Sequence, residues 1–208
     1  MAKAPIPGRV KTRLRPAFTD DEASELAAAA LTDTVAAAFR CTDRVVVALE
    51  RWGSRAVPAE IGDAAVIDQQ GGGLGERLDN ALARQWEVSP GRQLVIGMDT
   101  PQVTPELLLA VADLAEHPPE CGIGLASDGG FWALAFAGPP VPVLSKVPMS
   151  RPETGALTVS ALRSAGCQVR EGPQLADVDD ATAAARVASI APATVFARTY
   201  CEIVARRS

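Results

Sequence analysis

The chain is poor in the residues that many catalytic centres need. It has one histidine, His117, just before Pro118-Pro119. No Ser-His-Asp or Cys-His arrangement can be built around it, so it reads as a surface residue at a helix end. The four cysteines, Cys41, Cys121, Cys167 and Cys201, are scattered, with no Cys-x-x-Cys pair and no histidine cluster nearby. This spacing argues against a zinc site and a disulfide framework and favours free thiols in a reducing cytoplasm. No apolar run approaches about 18 residues, so a membrane span is excluded; no signal-peptide pattern is present either. These absences lead to the expectation of a cytoplasmic protein with no membrane partner. Cations are also in deficit: 20 Lys and Arg against 25 Asp and Glu give a net charge of −5. That balance argues against a general nucleic-acid binder, although a local basic patch can still hold a small anion.

The length of 208 residues, without internal repeat or disordered linker, leads to the expectation of a single domain over residues 1–208. A domain of this size buries roughly 70% of the surface its unfolded chain exposes, so it folds without a disulfide or metal. Hydrophobic residues at 48% and charged residues at 22% are ordinary for a globular protein.

The hydrophobic pattern alternates between strand and helix. Residues 1–18 form a loop rich in proline, glycine and basic residues. A helix is predicted over 20–40, capped by Thr19 or Asp20, with Leu26, Ala30, Leu31, Val35 and Phe39 facing the core. Strands are predicted at 45–49, 65–67, 94–98, 123–126, 131–136 and 167–170. Helices are predicted at 74–86, 104–116, 152–164, 180–189 and 193–206, with Pro105 at a first helical position and Gly166 as a stop. Alternation of this kind implies an α/β fold with a mostly parallel sheet. The Asp-Gly-Gly junction at 128–130 predicts an antiparallel pair. Ligands of such sheets sit outside the carboxyl ends of the strands, which is where chemistry is sought.

Five stretches qualify. Residues 3–15, KAPIPGRVKTRLR, gather Lys3, Arg9, Lys11, Arg13 and Arg15 around Pro5, Pro7 and Gly8, ahead of a helix. Cations and backbone N–H groups near a helix start make a phosphate site; a solvated basic segment is the plainer alternative. On the phosphate reading Lys11 and Arg13 are exposed, and replacing both by alanine leaves the apo melting temperature nearly unchanged. Gln69 to Leu78 carries four glycines between a strand and a helix, suited either to close approach of a base or sugar or to a flexible loop. It does not have the placement of a dinucleotide fingerprint. Asp99, in Gly97-Met98-Asp99-Thr100-Pro101, directly follows an apolar strand and suits Mg²⁺ or Mn²⁺ bound with phosphates, or else caps a turn. Asp128, in Ser127-Asp128-Gly129-Gly130, either makes the hairpin turn or faces the acceptor or sugar. In Asp177-Val178-Asp179-Asp180, extended backbone puts Asp177 and Asp179 on one face, able to complete a metal site, whereas Asp180 suits a helix N-terminus.

Taken in order, KAPIPGRVKTRL, QGGGLGERL, GMDTPQVTPELL, SDGGFWAL, VPMSRPETG and LADVDD resemble a bacterial group of GT-A-fold, nucleotide-diphospho-sugar-transferase-like proteins. Members are called glycosyltransferases, some linked to arsenosugar biosynthesis. More distantly the chain is similar to nucleotidyltransferases that make molybdenum-cofactor nucleotides or guanylylate phospholactate. The resemblance covers nearly the whole chain and implies a three-layer αβα GT-A fold. Such proteins have an apolar strand directly before the KAP loop, so the resemblance implies a first strand that is missing here or reduced to a stub.

Carried over, the resemblance gives Lys3, Gly8, Lys11, Arg13, Gly72, Gly73 and Arg77 to the nucleotide and its phosphates. It gives Asp99 to a Mg²⁺ or Mn²⁺ ion with Asp177 or Asp179, and Ser150 and Thr154 to the acceptor side. Lys11, Arg13, Asp99 and Asp128 would be the catalytic set. The implied activity is sugar transfer from a nucleotide sugar to a small-molecule acceptor. No Asp-x-Asp triplet stands at Asp99, which keeps nucleotidyl transfer from a nucleoside triphosphate to a phosphorylated small molecule as an alternative. A non-catalytic nucleotide-binding protein is a second alternative.

Overall fold

A computed structural model of the chain describes residues 1–51 and 57–207. In chain order the elements are β1 (Ala2–Lys3), α1 (Asp20–Phe39), β2 (Val46–Glu50), β3 (Ala65–Asp68), α2 (Leu74–Val88) and β4 (Gln93–Ile96). There follow α3 (Pro105–Ala112), β5 (Glu120–Leu125), β6 (Phe131–Phe136), α4 (Thr154–Ser164), β7 (Gln168–Glu171), α5 (Ala181–Ile190) and α6 (Val195–Ala205). The strand–helix alternation expected from the hydrophobic pattern is present. Two compact units arise from it. One comprises Met1, Ile67–Gly97 and Glu106–Leu175, and the other Ala2–Val66, Met98–Pro105 and Ala176–Ser208.

The unit containing the N-terminal segment is built on α1. Its alanines make the helix thin enough to be covered on two sides. Leu26 and Ala30 pack with Val187, Phe196 and Ile203 of α5 and α6. Ala27, Leu31 and Val35 pack with Val47, Leu49 and Ile61 under the sheet of order β1-β2-β3. β1 is two residues long and runs parallel to β2, with Ala2 opposite Leu49 and Lys3 opposite Glu50. Thr19 is the cap of α1, in a capping box with Glu22. Asp33 of α1 accepts hydrogen bonds from Val195 and Phe196 N–H at the start of α6. Burial nonetheless holds its pKa above the ordinary carboxylate value. Phe39 departs from expectation: it is 36% exposed and belongs to neither cluster, because it sits on the last turn of α1, past the residues that pack.

The other unit holds a sheet of order β4-β6-β5-β7. β6 runs antiparallel to both β4 and β5, while β5 and β7 are parallel, so three of these strands share one direction. One face carries Cys121, Ile123, Leu134 and Phe136 against Leu78 and Leu82 of α2 and Val159 and Leu162 of α4. α3 lies against the opposite face, where a Cβ on Gly122 would come within 2.3 Å of the Val111 carbonyl. A bulge shifts the β5–β6 register between Gly124 and Leu125. It puts both Phe131 and Leu134 against the same cluster, which a regular strand cannot do for residues three apart.

α3 stops at Ala112 instead of the predicted 116. Leu114 and Ala115 N–H turn to carbonyls three residues back, and the Glu120 carboxylate takes the Glu116 and His117 N–H groups. Among the described residues no helix is long and apolar enough to cross a membrane.

Candidate functional site

The basic segment is fixed by a buried anchor. Residues Thr12–Leu14 form one 3₁₀ turn, and Leu14 is fully buried against α1. Gly8 has φ +74° and Lys11 has φ 51° and ψ 34°, a left-handed conformation that only a few side chains adopt readily. The Lys11 ammonium pairs with the Asp99 carboxylate and donates to the Val178 carbonyl. The Lys11 side chain is 5% exposed, against 48% for Asp99, so the sequence expectation of an exposed lysine is corrected. Its four-carbon stem fills space in the fold while its charge is answered by two oxygens. Arg13 is 69% exposed and reaches Asp179 at 2.7 Å. Arg15 pairs with Asp20 at 2.9 Å, and exposed Lys3 stands 3.9 Å from Glu50.

The carboxylates belong to two segments tied side by side. Val178 N–H donates to the Asp99 carbonyl at 2.8 Å, and Gln102 Nε2 donates to the Ala176 carbonyl. Asp177 and Asp179, for which extended backbone would give a shared face, each have a carboxylate oxygen within 4.8 Å of the other. Asp180 instead caps α5, its Oδ1 accepting from Ala183 N–H at 2.8 Å. Gln102 escaped the sequence reading. It is 8% exposed, its Nε2 is engaged, and its Oε1 has no hydrogen-bond partner among the described residues. No sequence pattern marks it, since what sets it apart is its burial.

The glycine loop and the Asp-Gly-Gly turn lie in the unit of β4 to β7. Gly72 N–H donates to Glu76 Oε2 at 2.8 Å, and Arg77 Nε donates to the Gly71 carbonyl at 3.1 Å. Gly71, Gly72 and Gly73 are exposed, and Gly73 is the residue from which α2 starts. Asp128 forms the turn between β5 and β6, accepting from Gly130 N–H at 2.7 Å with its side chain at the surface. A Cβ on Gly129 would meet the Pro152 carbonyl at 1.9 Å, and Gly155 N–H donates to the Gly129 carbonyl at 2.7 Å. The turn is thereby fastened to the start of α4. Ser150, exposed and at φ 59°, precedes that start. Thr154 does not line a surface: it is 4% exposed, and its hydroxyl donates to the Pro148 carbonyl and accepts from Arg151 N–H.

These elements make a mixed α/β fold, and its likeness to a nucleotide-diphospho-sugar-transferase structure gives its class as GT-A-like. Residues 26–151 match the family described as "Uncharacterized protein conserved in bacteria (DUF2064)", and the chain belongs to that family. Among solved structures it is similar to a crystal structure described as a "putative nucleotide-diphospho-sugar transferase" from Desulfovibrio desulfuricans G20. The two are 27% identical with a TM-score of 0.78, over 86% of this chain and 80% of the other. Comparison with curated proteins returns no match.

Proposed function

We propose that the protein is a divalent-metal-dependent transferase that takes a nucleotide sugar as donor and passes the sugar to a small-molecule acceptor. The observation that carries this reading is the likeness, over most of both chains, to the nucleotide-diphospho-sugar-transferase structure. The residues support it. Asp99, Asp177 and Asp179 offer only carboxylate oxygens, the hard donors that suit Mg²⁺ or Mn²⁺ and not a thiolate-loving ion. They are the groups that would hold the ion, which when bound supplies positive charge against the leaving diphosphate.

Arg13, exposed at the end of a flexible side chain, can exchange Asp179 for two phosphate oxygens. Lys11 offers a point charge beside Asp99. Gly72, Gly73 and Arg77 are assigned to the nucleotide, and Asp128 and Ser150 to the sugar or acceptor. The exposed Asp128 carboxylate, which accepts from Gly130 N–H within its turn, can accept an acceptor hydroxyl proton.

Thermal-shift measurement with nucleotide sugars against nucleoside triphosphates, each with Mg²⁺ or Mn²⁺, tests the reading. Ligand at 100 times its Kd adds about 2.7 kcal/mol of stability. Nucleotide sugars are expected to stabilise the protein only with metal, and Asp99→Asn to remove the metal-dependent part while keeping the fold. Stabilisation by triphosphates alone would transfer the assignment to nucleotidyl transfer. No response to either ligand class would defeat it.

A further inference from the structure

We infer that Lys11 is an internal counter-cation that keeps Asp99 closed to a free divalent ion, so that metal enters together with the anionic part of a ligand. The inference rests on the metal-dependent reading above and deepens it.

Three observations carry it. The Lys11 ammonium lies against a carboxylate oxygen of Asp99 and the carbonyl oxygen of Val178, and oxygens of these two kinds are what a hard divalent ion takes. The cation is the buried member of the pair and the carboxylate the half-exposed one, so Asp99 faces solvent already neutralised from inside. Lys11 also holds a left-handed backbone conformation that a lysine adopts at a cost, and the residue stands in the turn anchored by Leu14.

A bare divalent ion arriving at Asp99 meets this ammonium as a like charge. A diphosphate offers the ammonium new acceptors and brings negative charge of its own. Metal and anion therefore strengthen each other's binding, and by linkage the effect is reciprocal. Arg13 is different: its pair with Asp179 is at the surface and screened by solvent.

The test titrates the protein with Mn²⁺ alone and reads free Mn²⁺ by its electron paramagnetic resonance signal. Lys11→Met keeps much of the stem, and Lys11→Asn suits the left-handed backbone, so one variant stands if the other misfolds. Both are expected to bind Mn²⁺ at least about tenfold tighter than the parent, the scale of one close charge–charge interaction near a surface. Adding Asp99→Asn to either variant should return the affinity to the parent's. In the parent, saturating inorganic phosphate should tighten Mn²⁺ binding, and in the variants by a smaller factor, since the part that comes from occupying the ammonium is gone.

Mn²⁺ binding no tighter in the variants, or a gain that survives Asp99→Asn, overturns the inference. So does a parent indifferent to phosphate. Failure of the transferase reading would appear elsewhere, as indifference to nucleotide sugars in the thermal-shift assay.

Discussion

Lys11 and Arg13 are two residues apart and carry the same charge, yet tertiary packing makes them different objects. Arg13 is mostly exposed, and an exposed ion pair contributes about 0–1 kcal/mol. Arg13→Ala should therefore move the melting temperature of the apo protein by no more than about 3 °C. The Lys11 side chain is buried and its backbone is at positive φ. Its replacement by alanine removes the packed stem and keeps the backbone strain, whereas glycine removes the strain as well. Lys11→Ala should melt lower than Arg13→Ala, and Lys11→Gly should recover about 1 kcal/mol of that loss, a few degrees in this size of domain. Calorimetry on the three variants checks the order. Equal melting of the alanine and glycine variants would count against the left-handed conformation.

Two elements show how a contact distant in sequence holds a local structure. The β5–β6 turn is one. Gly129 has φ +90° and no room for a Cβ, because the Pro152 carbonyl stands where it would be. Gly129→Ala should cost more than the roughly 1–2 kcal/mol of left-handed strain alone, since a backbone group must also move. A melting temperature unchanged within error would contradict the docking of this turn on α4. The second is the start of α1, clasped by the end of the chain. Arg207 pairs with the Glu22 carboxylate, stands 4.8 Å from the Phe18 ring centroid and donates to the Ala17 carbonyl. The Arg207 guanidinium first, and then the Thr19 N–H, hold the Glu22 pKa at about 2 against an ordinary 4.5. A depressed carboxylate pKa stabilises the fold above the unfolded value, and the benefit is lost as pH falls toward the folded one. Glu22→Gln should therefore be less stable than the parent near neutral pH, with the gap closing between pH 4.5 and about 2. Denaturation curves across that window test it; a pH-independent gap would mean that packing, not charge, is what the glutamate supplies.

At the scale of the whole molecule the thiols report on burial. Cys201 is exposed, Cys41 half-buried, and Cys121 and Cys167 are buried. Burial, and then the neighbouring Cys167, push the Cys121 thiol well above its ordinary pKa. Since the thiolate is the reactive form, an aromatic disulfide reagent should modify Cys201 first and Cys41 more slowly. Cys121 and Cys167 should react only as their unit opens, at a rate that rises with denaturant. Fast modification of either in the native protein would contradict the packing of β5 and α4 around them.

What the sequence determined by itself is short-range. The period of apolar residues, the Thr19–Glu22 capping box, Pro105 at a helix start and the Asp-Gly-Gly turn each depend on neighbours a few residues away, and these elements were legible in advance. Alternation suggested a shared face for Asp177 and Asp179, and their carboxylate oxygens do lie within 4.8 Å of each other. The end of α3 was not legible, because it depends on the Glu120 carboxylate reaching back to the chain. Nor was the exposure of Phe39, whose stripe is helical but outlasts its packing partners. The burial of Lys11 belongs to the same class: its partner Val178 lies 167 residues away, and nothing in a basic run tells which of its cations will be covered. Gln102, with its engaged amide nitrogen and orphaned oxygen, was invisible for the same reason. Periodicity and turn chemistry act through adjacent backbone, whereas burial and charge pairing are set by which distant segments fold against each other. Only the tertiary structure decided those.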